Sequence, residues 1–255
     1  MSHDYIYTDN QVVLNRNEWS ERHFVYQRMR SCGEALPHAA EHIELLNAAA
    51  QTLFGNKSSL TIKELQEATS KLIRYSGRRH DVPHIVEVRY YDNGEYICRI
   101  NESSLYKQFS LRAIRPVGEI FASENCLGTI PTSAFQSELE LMRRYLTNQA
   151  SGKVVVARGS DNNILHIDGG TPIMMKGYDI VVATTPKSVT ANLAATAATK
   201  INGYKTTIRD ISIDEAMEAE ELLYVDERGI TSLSQLNGHR YATIIAHNLA
   251  EYIAE

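Results

Sequence analysis

Residues 24–55 read FVYQRMRSCGEALPHAAEHIELLNAAAQTLFG, and a change of rhythm inside that stretch decides the fold. Phe24 to Arg30 has the β-prone composition of a strand, and Ser31-Cys32-Gly33-Glu34 supplies the turn that ends it. From His38 to Phe54 the period lengthens. Ile43, Leu46, Ala50, Leu53 and Phe54 fall on one helical face, and Gly55 can stop the helix by taking a left-handed conformation. A second helix follows, because Thr61 and Glu64 make a capping box ahead of Leu65, Leu72 and Ile73. Upstream, Tyr5–Thr8 and Val12–Leu14 flank an Asp9-Asn10 turn. Downstream, Arg89–Tyr91 and Glu95–Ile100 flank Asp92-Asn93-Gly94, where a hairpin turn at positive φ would place Asn and Gly.

A further strand is expected over Leu111–Phe121. The segment Ser123–Pro131 then loses periodicity and carries Gly128 and Pro131. This places a lobe boundary there, with an N-terminal lobe of residues 1–122 and a C-terminal lobe of residues 123–255. The second lobe opens on a helix from Ser133 to about Asn148, with Phe135, Leu139, Met142 and Leu146 at helical spacing. Strands are expected at Val154–Ala157, Ile164–Ile167, Ile173–Met175 and Asp179–Ala183. An alanine-rich helix covers Ala191–Ile201, Ser212 and Glu215 cap another, and Tyr241, Ile244, Ile245, Leu249, Tyr252 and Ile253 give a final helix one apolar face.

The whole chain narrows the function classes. Its 255 residues suffice for a real core, and 43% hydrophobic with 22% charged residues is ordinary globular composition. A net charge of −5, with a pI near 6.0, argues against a nucleic-acid partner, which needs a basic footprint. Lys71, Arg74, Arg78, Arg79 and His80 read as a solvated helix end. Cys32, Cys98 and Cys126 form neither a disulfide framework nor a metal knuckle, and fit reduced thiols in a cytoplasm. The first residues carry no basic, apolar leader pattern, and no run reaches the roughly 18 apolar residues of a membrane span. Cytoplasmic location and no membrane partner are therefore expected.

Two short patterns suggest metal. His38-Ala39-Ala40-Glu41-His42 matches H-x-x-E-H, which would set two histidines on one helix face beside a glutamate. His38 follows Pro37 at the helix start, however, and the same face continues as core, so no metal is expected. His80-Asp81-Val82-Pro83-His84 reads as a loop. The eight acids of Asp210–Glu227, with no base among them, read as a solvated face. No G-x-S-x-G elbow, dinucleotide fingerprint or phosphate-loop lysine is present.

Taken in order, Tyr26–Arg30, Gly33, Glu41–Ala50 with Leu53-Phe54-Gly55, Lys153–Pro186 and Ile211–Val225 resemble the fold-type IV pyridoxal-phosphate enzymes over nearly the whole chain. These are the branched-chain and D-amino-acid aminotransferases and aminodeoxychorismate lyase. The resemblance implies an α/β (α+β type) fold like that of D-amino-acid aminotransferase. It also implies two lobes with mixed sheets, a ligand cleft between them, and a homodimer.

It further implies a lysine that forms a Schiff base with the cofactor. The matching place, the helix start after Pro131, reads Thr132-Ser133-Ala134-Phe135-Gln136-Ser137, and no lysine occurs from 108 through 152. Gln136 stands where the lysine is implied, although Ser133-x-x-Gln136 also reads as a capping box. The implied ring carboxylate falls on Ile167, with Asp168 one residue away, and a one-residue slip flips a strand side chain to the other face. The implied phosphate-binding arginine falls on Leu45, and the phosphate loop is shortened to Lys187–Thr190. A second implied phosphate contact reads Asp226-Glu227-Arg228-Gly229, where two carboxylates would repel an anion. The expectation is a degenerate homologue, a pseudoenzyme with no cofactor, that binds a small metabolite or a partner in the cleft. The alternative is an active, pyridoxal-phosphate-dependent aminotransferase or lyase using Lys107 or Lys153.

Overall fold

Alternation along the first strands separates two faces of one sheet. In the computed structural model, which describes residues 5–15, 22–104, 108–124, 127, 129–147 and 152–253, the chain divides into two units. The first holds Met1–Gln108 with Pro131–Ser133. Its strands are β1 (Tyr5–Thr8), β2 (Gln11–Leu14), β3 (Phe24–Arg30), β4 (His84–Tyr91) and β5 (Tyr96–Ser103), in the antiparallel order β2-β1-β5-β4-β3. Between β3 and β4 come α1 (Ala39–Phe54) and α2 (Ile62–Tyr75).

One parity of side chains, Tyr7, Val25, Met29, Val86, Val88, Tyr90, Cys98 and Ile100, packs with Leu46, Ala50, Leu65, Leu72 and Ile73 of the helices. Burial of this apolar set is what holds the helices on the sheet, since each fully buried large aliphatic side chain contributes roughly 1.5–3 kcal/mol. Gly55, at φ 73, ends α1 by donating its N–H to Gln51 O at 3.2 Å. The Thr61–Glu64 capping box begins α2 as its sequence requires.

The second unit holds Phe109–Ile130 with Ala134–Glu255. Its elements, with the first residue of the first helix assigned to the other unit, are β6 (Val117–Ala122), α3 (Ser133–Thr147), β7 (Lys153–Arg158), β8 (Ile164–Ile167), β9 (Thr171–Lys176), β10 (Asp179–Val182), α4 (Val189–Ala198), β11 (Lys205–Ile208), α5 (Ile213–Ala216), β12 (Glu221–Asp226), β13 (Gly229–Ser232), β14 (Gln235–Leu236), β15 (His239–Arg240) and α6 (Ala246–Tyr252). Two mixed sheets result, ordered β11-β10-β9-β12-β13 and β15-β14-β6-β7-β8. Val154, Val156, Ile164, Ile167, Met174, Val181, Leu222 and Tyr224 share one core across these sheets, while Ile173, Ile180, Leu223 and Val225 form another with α4 and α6.

Sequence and structure differ in places. Leu111 makes only an isolated bridge to Ile230, and the regular strand is β6, which pairs with β7 and β14 inside the second unit although the sequence assigned it to the lobe of residues 1–122. The last helix begins at Ala246 rather than near Tyr241, because the buried Glu221 carboxylate accepts the N–H groups of Ile244 and Ile245 at 2.7 and 2.6 Å and caps the helix from outside. Glu221 and Asp226 are buried, so two of the eight acids do not lie on a solvated face. No helix among the described residues is long and apolar enough to cross a membrane.

Candidate functional site

In the second unit the turn after β8 brings several nominated residues together. Ile167 is fully buried in the core, and its N–H meets Gly170 O at 3.0 Å. Asp168 takes φ 51, donates its N–H to Val155 O at 2.7 Å, and accepts Arg143 Nε on Oδ1 at 2.7 Å. Arg143 Nη2 also reaches the Asp168 carbonyl at 2.9 Å. That two-point grip commits the Asp168 carboxylate to a neighbouring guanidinium. His166, two positions earlier, accepts Gly169 N–H on Nδ1 and meets the edge of Phe135 at 4.9 Å. Burial lowers its pKa to about 4, against the opposing pull of Asp168, so it is neutral.

Gly170 sits where a Cβ would come within 2.8 Å of the Tyr224 ring and of Val225 O, which presses the turn onto β12. At the far end of β12, Asp226 accepts Arg228 N–H at 2.9 Å and lies 3.6 Å from Arg228 Nη1. Burial, with Glu227 adding like charge, raises Asp226 to about 7 even though Arg228 and Arg112 oppose the shift. Burial likewise raises the Tyr224 hydroxyl, reinforced by Asp168 and Asp226 and opposed by a hydrogen bond with Thr231. Arg112 reaches Thr231 Oγ1 at 3.3 Å. Asp168, Tyr224, Asp226 and Arg228 thus share one electrostatic neighbourhood. Gln136 lies half-buried on α3, and Leu45 lies half-buried on α1 of the other unit.

The first unit carries a second group of charges, on the sheet face opposite its helices. Arg28, Glu87 and Arg99 stand directly across β3, β4 and β5 from one another, with Tyr26 and Arg89 paired in the adjacent row. Glu87 is fully buried. Its Oε2 accepts Arg28 Nε at 2.7 Å and Asn101 Nδ2 at 2.8 Å, and its Oε1 accepts Arg89 Nε at 2.7 Å and Arg99 Nε at 2.9 Å. Burial alone would raise its pKa, but the guanidinium ions of Arg28, Arg99 and Arg89 hold it well below the carboxylate range. The Arg89 guanidinium stacks 4.3 Å from the centre of the Phe24 ring, and that of Arg28 lies 5.2 Å from that of Tyr26. His42 is buried on the helix side, against Gln27 Oε1 at 3.2 Å, whereas His38 pairs with Glu41. Among the described residues no group of three or more metal-ligating side chains occurs.

No family model and no curated protein matches the chain. A branched-chain amino acid aminotransferase from T.th., solved with N-(5'-phosphopyridoxyl)-L-glutamate, has a TM-score of 0.77 to it at 13% identity, over 99% of this chain and 93% of that one. The chain has the fold of the fold-type IV aminotransferases. The fold IV-transaminase CpuTA1 from Curtobacterium pusillum agrees at TM-score 0.75 and 14% identity, over 99% of each chain. An aminotransferase from Brucella abortus bound to its cofactor PLP agrees at TM-score 0.72 and 11% identity, over 98% of this chain and 97% of that one.

Within this fold the lysines among the described residues keep to exposed or half-buried positions. None is buried among the described residues, and Lys153 is paired with Glu119 at 2.8 Å. Lys107 lies outside the described residues. In the shortened loop, Ser188 Oγ accepts Ala191 N–H at 3.0 Å and caps α4. The arginine and glutamate face went unread in the sequence, since a charge inside a strand announces no partner. The available signal was the alternation at Arg28 and Arg30, Glu87 and Arg89, and Arg99 and Asn101 within otherwise buried strands.

Proposed function

We propose that this protein is a catalytically silent, class IV aminotransferase-like homologue that binds a small metabolite without Schiff-base chemistry. The observation that carries the proposal is the start of α3, where Thr132–Ser137 offer no amine and Gln136 takes the place implied for the lysine. A glutamine amide can neither form an imine nor act as a base near neutral pH.

The neighbouring groups agree with that reading and do not fit a covalently held pyridoxal phosphate. Asp168, one residue from the place the resemblance implies for the ring carboxylate, is gripped by Arg143, and Ile167, at that place, is core. Ser188 is used as a helix cap, and the Asp226–Gly229 turn, the place the resemblance implies for a second phosphate contact, carries Asp226 and Glu227, whose negative charge would oppose an anion. Homodimer assembly and a cytoplasmic location are proposed on the strength of the resemblance and of the reduced thiols at Cys32 and Cys98.

The test is half-transamination. Pyridoxal phosphate and a panel of amino acids are mixed with the wild type and with Gln136→Lys, and the cofactor spectrum is followed. Neither protein is expected to convert the cofactor. Restored turnover in Gln136→Lys would mean that the remaining contacts are intact and that the protein is not degenerate.

A further inference from the structure

Three turns of the chain place a glycine directly after an asparagine, at Asn93-Gly94, Asn202-Gly203 and Asn237-Gly238. Turns favour both residue types, because asparagine tolerates positive φ and glycine adopts it freely. The pair is also reactive. The asparagine side-chain carbonyl carbon lies within reach of the next backbone nitrogen, and glycine has no Cβ to screen that nitrogen. An attack within one chain is fast wherever the two atoms can be brought together, so local structure decides which pair reacts.

At Asn93 both partners are held. Its Nδ2 donates to Glu95 Oε2 at 2.7 Å, its Oδ1 accepts Glu95 N–H at 3.1 Å, and Gly94 N–H donates to Tyr91 O at 3.1 Å. Asn237 and Gly238 form the two-residue turn between β14 and β15, at φ 45 and 88. Pairing of Leu236 with His239 and of Gln235 with Arg240 fixes that turn from both sides.

Asn202 differs on each count. It is exposed in the loop between α4 and β11, and neither its side chain nor Gly203 N–H makes a hydrogen bond among the described residues. One bond closes the turn, from Tyr204 N–H to Ile201 O at 3.4 Å, beyond the roughly 2.7–3.2 Å of an ordinary N–H···O bond. A Cβ built on Gly203 would meet nothing within 4 Å, so the peptide between the two residues has room to turn.

We infer that Asn202 is a site of spontaneous covalent modification, at which the side-chain amide is lost. Gly203 N bonds to Asn202 Cγ, the Cγ–Nδ2 bond breaks, and Nδ2 leaves as ammonia with the proton given up by Gly203 N–H. Water then opens the cyclic imide. Addition at Cγ breaks the new bond and leaves aspartate. Addition at the main-chain carbonyl carbon breaks the original peptide bond instead and leaves the chain running through Cγ, an isoaspartate. Either product adds one negative charge to a chain at −5, between Lys200 and Lys205. The isoaspartate also lengthens the backbone just ahead of β11, where Lys205 N–H is bonded to Tyr178 O at 2.8 Å.

The full chain is held at mildly alkaline pH, sampled over time, digested and mapped by mass, with isoaspartate read out by an isoaspartyl methyltransferase. In the folded chain Asn202 is expected to lose its amide on the order of tenfold faster than Asn93 or Asn237, because bonds that must break first slow ring closure at those two. In concentrated urea the three rates should converge, since the turns that separate them are gone. Isoelectric focusing should show an acidic form accumulating in the wild type and much less of it in Asn202→Gln, whose longer side chain closes the ring poorly and whose exposed position leaves the fold intact. Loss of the amide at Asn93 or Asn237 as fast as at Asn202 in the folded chain would overturn the inference. So would an Asn202 that keeps its amide when folded and loses it only in urea, or the same ranking of the three sites in urea, which would trace the difference to neighbouring sequence and not to the turn.

Discussion

Asp226 should make the protein less stable as the medium turns alkaline, and Asp226→Asn should remove that dependence. The carboxyl is raised from 3.8 to about 7, chiefly by burial. Between those values the folded chain holds a proton that the unfolded chain has released. The stability that this one group contributes is therefore fully present below pH 3.8, falls as pH climbs through the window, and is lost above about pH 7.

The shift corresponds to at most about 4 kcal/mol, with the attractions of Arg228 and Arg112 already included. Asparagine keeps the oxygen that accepts Arg228 N–H but never charges. Its advantage over the wild type should be near zero at about pH 4 and grow to a few kcal/mol by about pH 8, which for a chain of this size is a melting shift on the order of 10 °C. His42 and His166, both depressed by burial, work the other way, destabilising the fold as pH falls from 6.5 toward about 4. The variant shares them, so the difference between the two melting curves isolates Asp226. Scanning calorimetry across the pH range is the assay. If Asp226→Asn melts at or below the wild type at pH 8, the carboxyl is not carrying a desolvation cost and the reasoning fails.

Other substitutions probe the remaining packing. Ile167→Glu would bury an unpaired charge in the second unit's core and should cost more than about 3 kcal/mol, so a variant that melts like the wild type would place this side chain outside the core. Thr61→Ala should cost about 1 kcal/mol through loss of the α2 capping box, measured by urea unfolding, and an unchanged midpoint would contradict the capping role. His42→Ala should destabilise by about 2 kcal/mol, because it opens a cavity and strands Gln27, without any change in metal content. Stoichiometric zinc that disappears in this variant would show that the H-x-x-E-H pattern is a real site.

The first sheet and its helices were legible because their signals are local. Asp9-Asn10 and Gly94 mark turns that do adopt positive φ, and Thr61 and Ser212 cap helices through residues three positions on. The start of α6 was not legible, because Tyr241, Ile244 and Ile245 keep helical spacing while Glu221, more than twenty residues earlier, takes the backbone N–H groups. The site residues divide in the same way. That the start of α3 lacks a lysine can be read from one string, but the Arg28–Glu87 contact spans 59 positions and exists only once strand register is fixed. At β8 the side-chain alternation puts Ile167 in the core and hands Asp168 to Arg143, a distinction that a one-residue reading of a strand cannot make.

The central claim is that no lysine of this chain forms a Schiff base with pyridoxal phosphate, and borohydride reduction tests it most directly. Purified protein is saturated with pyridoxal phosphate, reduced, and weighed intact by mass spectrometry, with peptide mapping of any adduct. The account predicts no site-specific stoichiometric adduct, only sparse labelling spread over exposed lysines such as Lys57, Lys63 and Lys200. One adduct per chain on a single lysine, whether Lys107, Lys153 or another, would contradict it.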